Sequence, residues 1–252
     1  MFSFNIKNYI FFGLYLILNP WLLMLLFKRV YIPVYIQYEW LRNIDLMTFI
    51  DAGAYRGRVL KVISYLFPKA QIYAFEPLAE NYKAIIALNL PPSVRVEKLA
   101  LSNKVDSSDF HKSSYLPASS LLPLKKKLGK YQFISKTRKV KVNTNTLDNY
   151  FKGLNLERHT VLKLDTQGSE YIILSSGKRL LKQTSIVILE TTFKGLYKGE
   201  RKFNEIYRLL VNMGFEYYGN ISDSEFYPRF SLSNYSNSIF IKRKQIKLLL
   251  TE

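Results

Sequence analysis

The 252-residue chain has no cysteine. Disulfides and thiolate metal sites are therefore excluded, and the redox compartment is left undetermined. Two histidines, His111 and His159, cannot by themselves make a zinc centre, and nothing suggests a metal. Acidic side chains are scarce as well: 19 Asp and Glu stand against 37 Lys and Arg, a formal charge of +18. That balance favours anionic surroundings such as lipid headgroups, nucleic acid, or a phosphorylated or acidic substrate. Apolar residues are not scarce. At 48% of the chain they suffice for a core and exceed the range of disordered proteins. The length permits one large domain, or one domain with an appendage, and no internal repeat is seen.

Residues 1–45 differ from the rest. Tyr9 to Phe27 carries no charge and is long enough to cross a bilayer, which needs roughly 17–25 residues. Gly13, Asn19 and Pro20 interrupt the run, and Pro20 can divide it into two shorter helices. Only Lys7 precedes it and no small-residue cleavage site follows, so it is unlike a cleaved signal peptide. Lys28, Arg29 and Arg42 lie on the domain side, which by the positive-inside rule puts the domain at the cytoplasmic face of a membrane, or in the cytoplasm. Trp21, Tyr31, Tyr35, Tyr38 and Trp40 suit the headgroup level. The expectation is a membrane anchor, spanning or in-plane. The alternative is a set of helices packed on the domain's own surface.

From residue 46 strands alternate with helices. Leu46 to Ile50 predicts a buried strand, and Arg56 to Phe67 a helix with Val59, Leu60, Ile63 and Phe67 on one face, stopping at Pro68. Gln71 to Phe75 is a second strand. Pro77 then suits a first helical position, and Tyr82, Ile85 and Ile86 continue that helix to Pro91. Val94 to Leu99 is a third strand. Residues 103–141 break the alternation with a serine cluster (Ser107, Ser108, Ser113, Ser114, Ser119, Ser120) and an acid-free basic stretch from Lys125 to Lys141. That stretch reads as a solvated loop, a lid, or a surface for phosphate groups or anionic lipid; Tyr131 and Phe133 among its charges also permit nucleic-acid contact. Thr146 to Phe151 and Gly168 to Leu181 are expected helices, Thr160 to Leu164 and Ile186 to Leu189 strands. A helix from Phe203 to Met213 closes at Gly214. Phe215 to Tyr218 and Ser238 to Ile241 complete the set as strands that can pair antiparallel. The fold class is α/β, with a mostly parallel seven-stranded sheet covered by helices on both faces and an N-terminal hydrophobic helical segment.

Ligands collect at the carboxyl ends of the strands in such a sheet. Asp51, Glu76, Asp165 and Glu190 all lie at such ends. Asp51 opens a turn with Gly53 and Gly57, where glycines let the backbone approach a ligand and helix-terminal N–H groups point at it. Glu76, about twenty positions beyond Gly57, can accept both hydroxyls of a ribose. Each acid alone could equally cap the next helix. The turn lacks the G-x-G-x-x-G of nicotinamide enzymes. An acid directly before it would repel a pyrophosphate but receive the cationic amino-acid end of S-adenosylmethionine.

Residues 46–245 resemble the FkbM family of S-adenosylmethionine-dependent methyltransferases. The matching pieces are Phe49-Ile-Asp-Ala-Gly-Ala through Gly57, Tyr73-Ala-Phe-Glu-Pro77, Ala100-Leu-Ser102, and Val142 to Asp148 with its Thr146-Leu-Asp148. Leu162-Lys-Leu-Asp-Thr-Gln-Gly-Ser-Glu170 and Val187-Ile-Leu-Glu190 follow. Leu209-Leu through Gly214-Phe215 and Ile239-Phe-Ile-Lys-Arg243 complete the series. One position departs: the family usually has Asn where this chain has Tyr55, a ring expected to alter the cradle. The resemblance implies a Rossmann-like class I methyltransferase fold over 46–245, preceded by the segment 1–45 and followed by a tail, 246–252.

The resemblance further implies that Asp51, Gly53, Ala54, Tyr55 and Gly57 hold the methionine end of the cofactor. Glu76 would hold the ribose, Ala100 and Leu101 would border the adenine, and Pro77 would be a further cofactor contact. Asp165, beside the expected methyl position, is both a cofactor contact and the first candidate for positioning or deprotonating the acceptor. Glu190 and Glu170 come next, Glu170 being also explicable as a first-turn helix acid. His111, in the irregular insert on the ligand side, is a further candidate; His159, before a strand at the opposite edge, reads as structural. The family points to O-methylation of a small-molecule or glycan hydroxyl, lipid-linked glycans included. A nucleic-acid methyltransferase is the first alternative, although Asp165-Thr-Gln-Gly lacks the Pro-Pro-aromatic pattern of base-amine enzymes. The second is an inactive, membrane-binding member whose site Tyr55 has closed.

Overall fold

The computed structural model describes residues 13, 16–126, 128–156, 159–221 and 235–246. Two short helices come first, α1 (Leu23–Phe27) and α2 (Ile32–Tyr38). Then follow β1 (Thr48–Ala52), α3 (Arg58–Leu66), β2 (Gln71–Phe75), α4 (Ala79–Ile86) and β3 (Val94–Glu97). An insert carries β4 (Ala100–Leu101), β5 (Asp106–Ser113) and β6 (Thr137–Asn145). The second half holds α5 (Leu147–Tyr150), β7 (Thr160–Leu164), α6 (Glu170–Ser175), α7 (Lys178–Gln183) and β8 (Thr184–Thr192). It ends with α8 (Phe203–Asn212), β9 (Phe215–Ile221) and β10 (Tyr235–Lys242).

The main sheet has seven strands in the order β3-β2-β1-β7-β8-β10-β9. All neighbours are parallel except β10, which runs antiparallel to β8 and β9, as the closing strands predict. β1 and β7 are buried at every position because helices cover both faces. One apolar layer contains Phe49, Leu60, Val62 and Ile63, the other Ile50, Leu162, Leu164 and Phe240.

Three local expectations change. Residues 103–141 are not irregular: β5 and β6 form an antiparallel hairpin, and β6 pairs with β4 in a separate three-stranded sheet. Only Phe110 and Val142 of this pair are buried apolar residues, so the strands carry too little hydrophobic alternation to read from sequence. Pro77 does not begin a helix. α4 starts at Ala79, since the Glu76 carboxylate accepts the Leu78 N–H at 2.9 Å and caps the entry. The helix expected over 168–181 is two helices, broken at Gly177, where a Cβ would lie 2.6 Å from Leu147. Asp148 of α5 caps the second of them by accepting from the backbone N–H groups of Arg179 and Leu180.

The N-terminal segment is part of the same core. Leu22, Leu25, Val30, Ile32, Tyr35, Tyr38, Leu41 and Ile44 are buried in one cluster with Phe49 and Ile63. The chain reverses at Lys28-Arg29, with Arg29 at φ +54, and no helix among the described residues is long and apolar enough to cross a membrane. The spanning form of the expected anchor is thus not formed by these residues. Positions 9–12 and 14–15 of the apolar run lie outside the described residues, as do Lys127 of the basic stretch and 247–252 of the tail.

Tyr35 tests this packing. It is fully buried, edge-on to Trp21 and Tyr65. Tyr35→Ala is expected to cost about 3–5 kcal/mol in urea denaturation, whereas Phe27→Ala, at a position 88% exposed, should stay within about 0.5 kcal/mol of wild type. Equal effects would show that the segment does not pack on the sheet.

Candidate cofactor and acceptor site

The turn after β1 is dictated by crowding. Gly53 has φ +84, and a Cβ on it would lie 1.9 Å from the Asp165 carbonyl oxygen. The close approach is therefore between two strand exits rather than between backbone and ligand. Gly57, at φ +76, starts α3 where a Cβ would come within 2.7 Å of Leu88. The donors of this turn are used internally. Gly53 and Ala54 both donate to the Phe75 carbonyl (3.0 and 3.2 Å), Gly57 donates to Ala54 (2.8 Å), and the Tyr55 N–H donates to Glu76 Oε2 (3.0 Å). These four turn donors are therefore not left for a ligand, whereas the expectation concerns the N–H groups at the start of the helix that begins at Arg58.

Tyr55 itself has φ +50. The left-handed region costs an ordinary L-residue roughly 1–2 kcal/mol, and Asn adopts it more readily because its short side chain bonds locally. The departure at this position thus has a backbone meaning as well as a steric one.

Asp51 is fully buried, and its Oδ1 accepts from Lys163 Nζ at 2.8 Å. Burial raises the Asp51 carboxyl above its ordinary range, while the Lys163 ammonium pulls it back. Burial also works against the charge of Lys163, but Asp51, Tyr38 and Asp165 outweigh it and hold the lysine protonated. Asp51 Oδ2 is buried without a partner, an open acceptor at the end of β1.

Two clefts meet above these strand ends. The first, about 740 Å³, is lined by Gly53, Tyr55, Glu76, Pro77, Ala100, Leu101 and Asp165, with apolar walls from Phe75, Phe110 and Leu116. Glu76 is held by Tyr55, Leu78 and Asn81, and burial pushes its carboxyl up to about 7. A carboxylate beside apolar plates suits a nucleoside: the plates take the base and the acid takes the diol. Asp51 lies beneath the cleft without lining it, so the fit to S-adenosylmethionine rests on Glu76 and the apolar walls.

The second cleft, about 1820 Å³, shares Gly53, Tyr55, Asp165 and Gln167 with the first and adds Ala54, Lys163, Glu170 and Glu190. Gln167, at φ +56, organises their junction. Its Nε2 donates to Asp165 Oδ1 and to Glu190 Oε2, both at 2.9 Å, and its Oε1 accepts from the Tyr197 hydroxyl at 3.1 Å. The same hydroxyl lies 2.9 Å from the Ala118 carbonyl, its one proton shared between the two acceptors, and Ser120 Oγ donates to the Gln167 carbonyl, so the insert is tied to the site. Rings of Tyr38, Tyr115, Tyr131 and Phe133 complete the wall.

Asp165 and Glu190 are thus brought together through one amide. Asp51 and Gly57 support the clefts from below without lining them. Glu170 accepts from the Thr166 N–H and hydroxyl and so holds its own turn; burial raises it to about 7. His111 is not brought to the site: it lies on β5, exchanges backbone hydrogen bonds with Ser120, and lines neither cleft. Among the described residues no group of three or more His, Asp or Glu is arranged to hold a metal ion. Sequence reading missed Lys163, Gln167 and Tyr197. Lys163 had a signal, a lone charge inside an apolar strand that demands a buried partner. Gln167 lay inside a quoted motif; Tyr197, in a loop, had none.

Two predictions follow from this chemistry. Tyr55→Asn is expected to stabilise the fold by about 0.5–1 kcal/mol in urea denaturation and Tyr55→Val to weaken it, since a β-branched residue tolerates φ > 0 worst. Glu76 and Glu170 both have folded-state values near 7, above the ordinary 4.5. The folded protein therefore holds these protons more tightly than the unfolded chain. The associated stability is complete below about pH 4.5 and is lost as pH rises through about 7. Melting temperature should fall from about pH 5 to pH 8, and Glu76→Gln or Glu170→Gln should each flatten part of that slope.

Over residues 51–217 the chain matches the Methyltransferase FkbM domain. It is 28% identical over 170 residues to the 2-O-methyltransferase NoeI of Sinorhizobium fredii (strain NBRC 101917 / NGR234), covering 64% of this chain and 70% of that protein. Among solved structures it is similar to a methyltransferase FkbM from Methylobacillus flagellatus KT, at 9% identity and a TM-score of 0.49. That match covers 78% of this chain but 44% of the other, so this chain spans less than half of that protein's length. The plantazolicin methyltransferase BpumL in complex with SAH is also similar, at 11% identity and a TM-score of 0.46, with 83% and 82% of the two chains covered. Since the domain match takes in more than half of the chain, from Asp51 past Glu76, Asp165 and Glu190, the protein belongs to the FkbM family of S-adenosylmethionine-dependent methyltransferases.

Proposed function

We propose that the chain is an O-methyltransferase acting on a sugar hydroxyl, with residues 46–245 as its catalytic domain. The observation that carries this reading is the second cleft, where aromatic rings surround two carboxylates bridged by an amide. The C–H faces of a sugar ring pack on aromatic faces, and its hydroxyls donate to carboxylates and amides. Tyr131 and Phe133, placed among basic residues in the sequence, line this cleft. Facing the second cleft, these two rings serve its wall rather than an open nucleic-acid surface. The relative named a 2-O-methyltransferase supports oxygen as the acceptor atom. A lipid-linked glycan is the second acceptor class. The exposed cations Lys28 and Arg29 are consistent with an acceptor presented at an anionic lipid surface.

The bound cofactor supplies an electrophilic methyl group on a sulfonium. The chain supplies placement. Glu76 holds the ribose, Pro77, Ala100 and Leu101 border the base, and Asp51 stabilises the cationic end. Asp165 and Glu190 orient the acceptor hydroxyl in line with the methyl carbon, and the walls keep water out. As the acceptor oxygen gains its new bond to carbon, its proton becomes strongly acidic. Asp165, which borders both clefts, takes that proton. Gln167 keeps the two acids from moving apart or collapsing onto each other.

Calorimetry with S-adenosylmethionine and label transfer to glycans test this reading. Glu76→Ala should weaken cofactor binding by about 1–3 kcal/mol. Asp165→Asn should lower kcat by roughly 10²–10⁴ while binding persists. A folded protein that binds no cofactor, or one that labels RNA but no glycan, would overturn the proposal.

A further inference from the structure

Among the described residues, the other face of the segment that packs on the sheet is exposed. Leu22, Leu25, Ile32 and Tyr35 are buried, but Ile17, Leu18, Met24, Leu26 and Phe27 are exposed, Leu18 at 79% and Phe27 at 88%. Large apolar side chains grouped this way are uncommon on a soluble surface and mark a face that something covers. Spanning is not the explanation for α1 and α2. Helices of 5 and 7 residues rise roughly 7–11 Å, against about 30 Å of hydrocarbon.

Charge identifies the occupant. The first acidic residue in the chain is Glu39, whereas Lys28 and Arg29 sit exposed at the tip beside Phe27. Trp21 and Tyr31, half-exposed at the edge of the patch, are the ring types that settle at headgroup depth. A second copy would bring the same two cations against their symmetry mates, in a protein already at +18. The patch also borders the second cleft. Val34, Gln37 and Tyr38 of α2 line that cleft, and Arg58, another lining residue, stacks on Tyr31 at 4.7 Å.

We infer that this N-terminal hairpin docks the protein in the plane of an anionic lipid surface, so that the acceptor cleft opens at the membrane and receives a hydroxyl carried on a lipid. The docking stands on the patch and its charges alone. The lipid-carried acceptor rests on the reading of the second cleft proposed above.

Full-length protein would be mixed with phosphatidylcholine vesicles, with or without phosphatidylglycerol, in the absence of cofactor and acceptor. Co-flotation reads binding, and emission in a Trp40→Phe background reports on Trp21 alone, since the chain has 2 tryptophans. Wild type is expected to float with the anionic vesicles, to be released by high salt, and to show a blue shift of Trp21. The double variant Met24→Asp/Phe27→Asp should reduce binding about tenfold or more with unchanged thermal unfolding. Lys28→Glu/Arg29→Glu should remove the preference for anionic lipid. Wild type that never floats, or flotation indifferent to Met24→Asp/Phe27→Asp, overturns the docking. So does a dimer in sedimentation velocity that Phe27→Asp dissolves, which assigns the face to a second copy. Methyl transfer is not read here, so failure of the enzymatic proposal leaves this result intact. The lipid-carried acceptor is tested separately: kcat/KM on a lipid-linked glycan in vesicles must exceed that on the free glycan, and equality overturns it.

Discussion

Asp51 and Lys163 face each other across neighbouring strands, 2.8 Å apart, with Asp51 fully buried and Lys163 at the floor of the second cleft. Two charges so placed are tolerable only together, because removal of either leaves the other buried and uncompensated. The pair therefore constrains the register of β1 on β7 as well as balancing charge. With that register set, the exits of the two strands come so close that position 53 has no room for a side chain against the Asp165 carbonyl. Asp165 is then fixed at the rim, and Gln167, two residues on, can reach both it and Glu190 on the next strand. The site is a consequence of how tightly these central strands are joined.

The same constraint explains the turn. In many nucleotide-binding turns the backbone donors are left for the ligand. Here Gly53 and Ala54 donate to β2, and Tyr55 donates to Glu76. These donors are therefore held within the protein, and Glu76 both shapes the turn and faces the cleft. Ionising Glu76 works against its burial, which bound ribose hydroxyls would offset. Binding and protonation at this residue are coupled for that reason.

Much of the frame was legible because periodicity and punctuation agree in it. The parallel strands read as short apolar runs, and their ends carried the acids that line the clefts. Gln71–Phe75 and Thr160–Leu164 are strands over the predicted spans, and the closing pair is antiparallel as predicted. What escaped was non-local or weakly patterned. The hairpin of the insert has nearly polar strands that gain order by pairing with each other and with β4, information no window of sequence contains. Gly177 looked like an ordinary helix position until Leu147 was found against it. Tyr197 comes from a loop tied to the insert through Lys125 and Pro123 backbone contacts. The resemblance supplied cofactor roles that spacing alone left open, but not the buried pairing of Asp51 with Lys163.

Charge separates the outside of the molecule from its site. The chain carries +18 overall, yet among the described residues the first cleft contains Glu76 and Asp165 and no cation, and in the second Asp165, Glu170, Glu190 and Glu200 outnumber Arg58 and Lys163. Lys163 is already neutralised by Asp51. Glu76 and Glu170, with values near 7, moderate the negative field without reversing it. Such an interior attracts a sulfonium and tolerates a neutral hydroxyl, but repels a phosphate close to the reacting atoms. The basic exterior does the opposite, gathering anionic surfaces at long range. Under the proposed reading, an acceptor that meets both conditions has an anionic carrier outside the cleft and an uncharged hydroxyl-bearing ring inside it. A polyanion that must thread its own phosphates past Asp165 and Glu190 satisfies only the first condition.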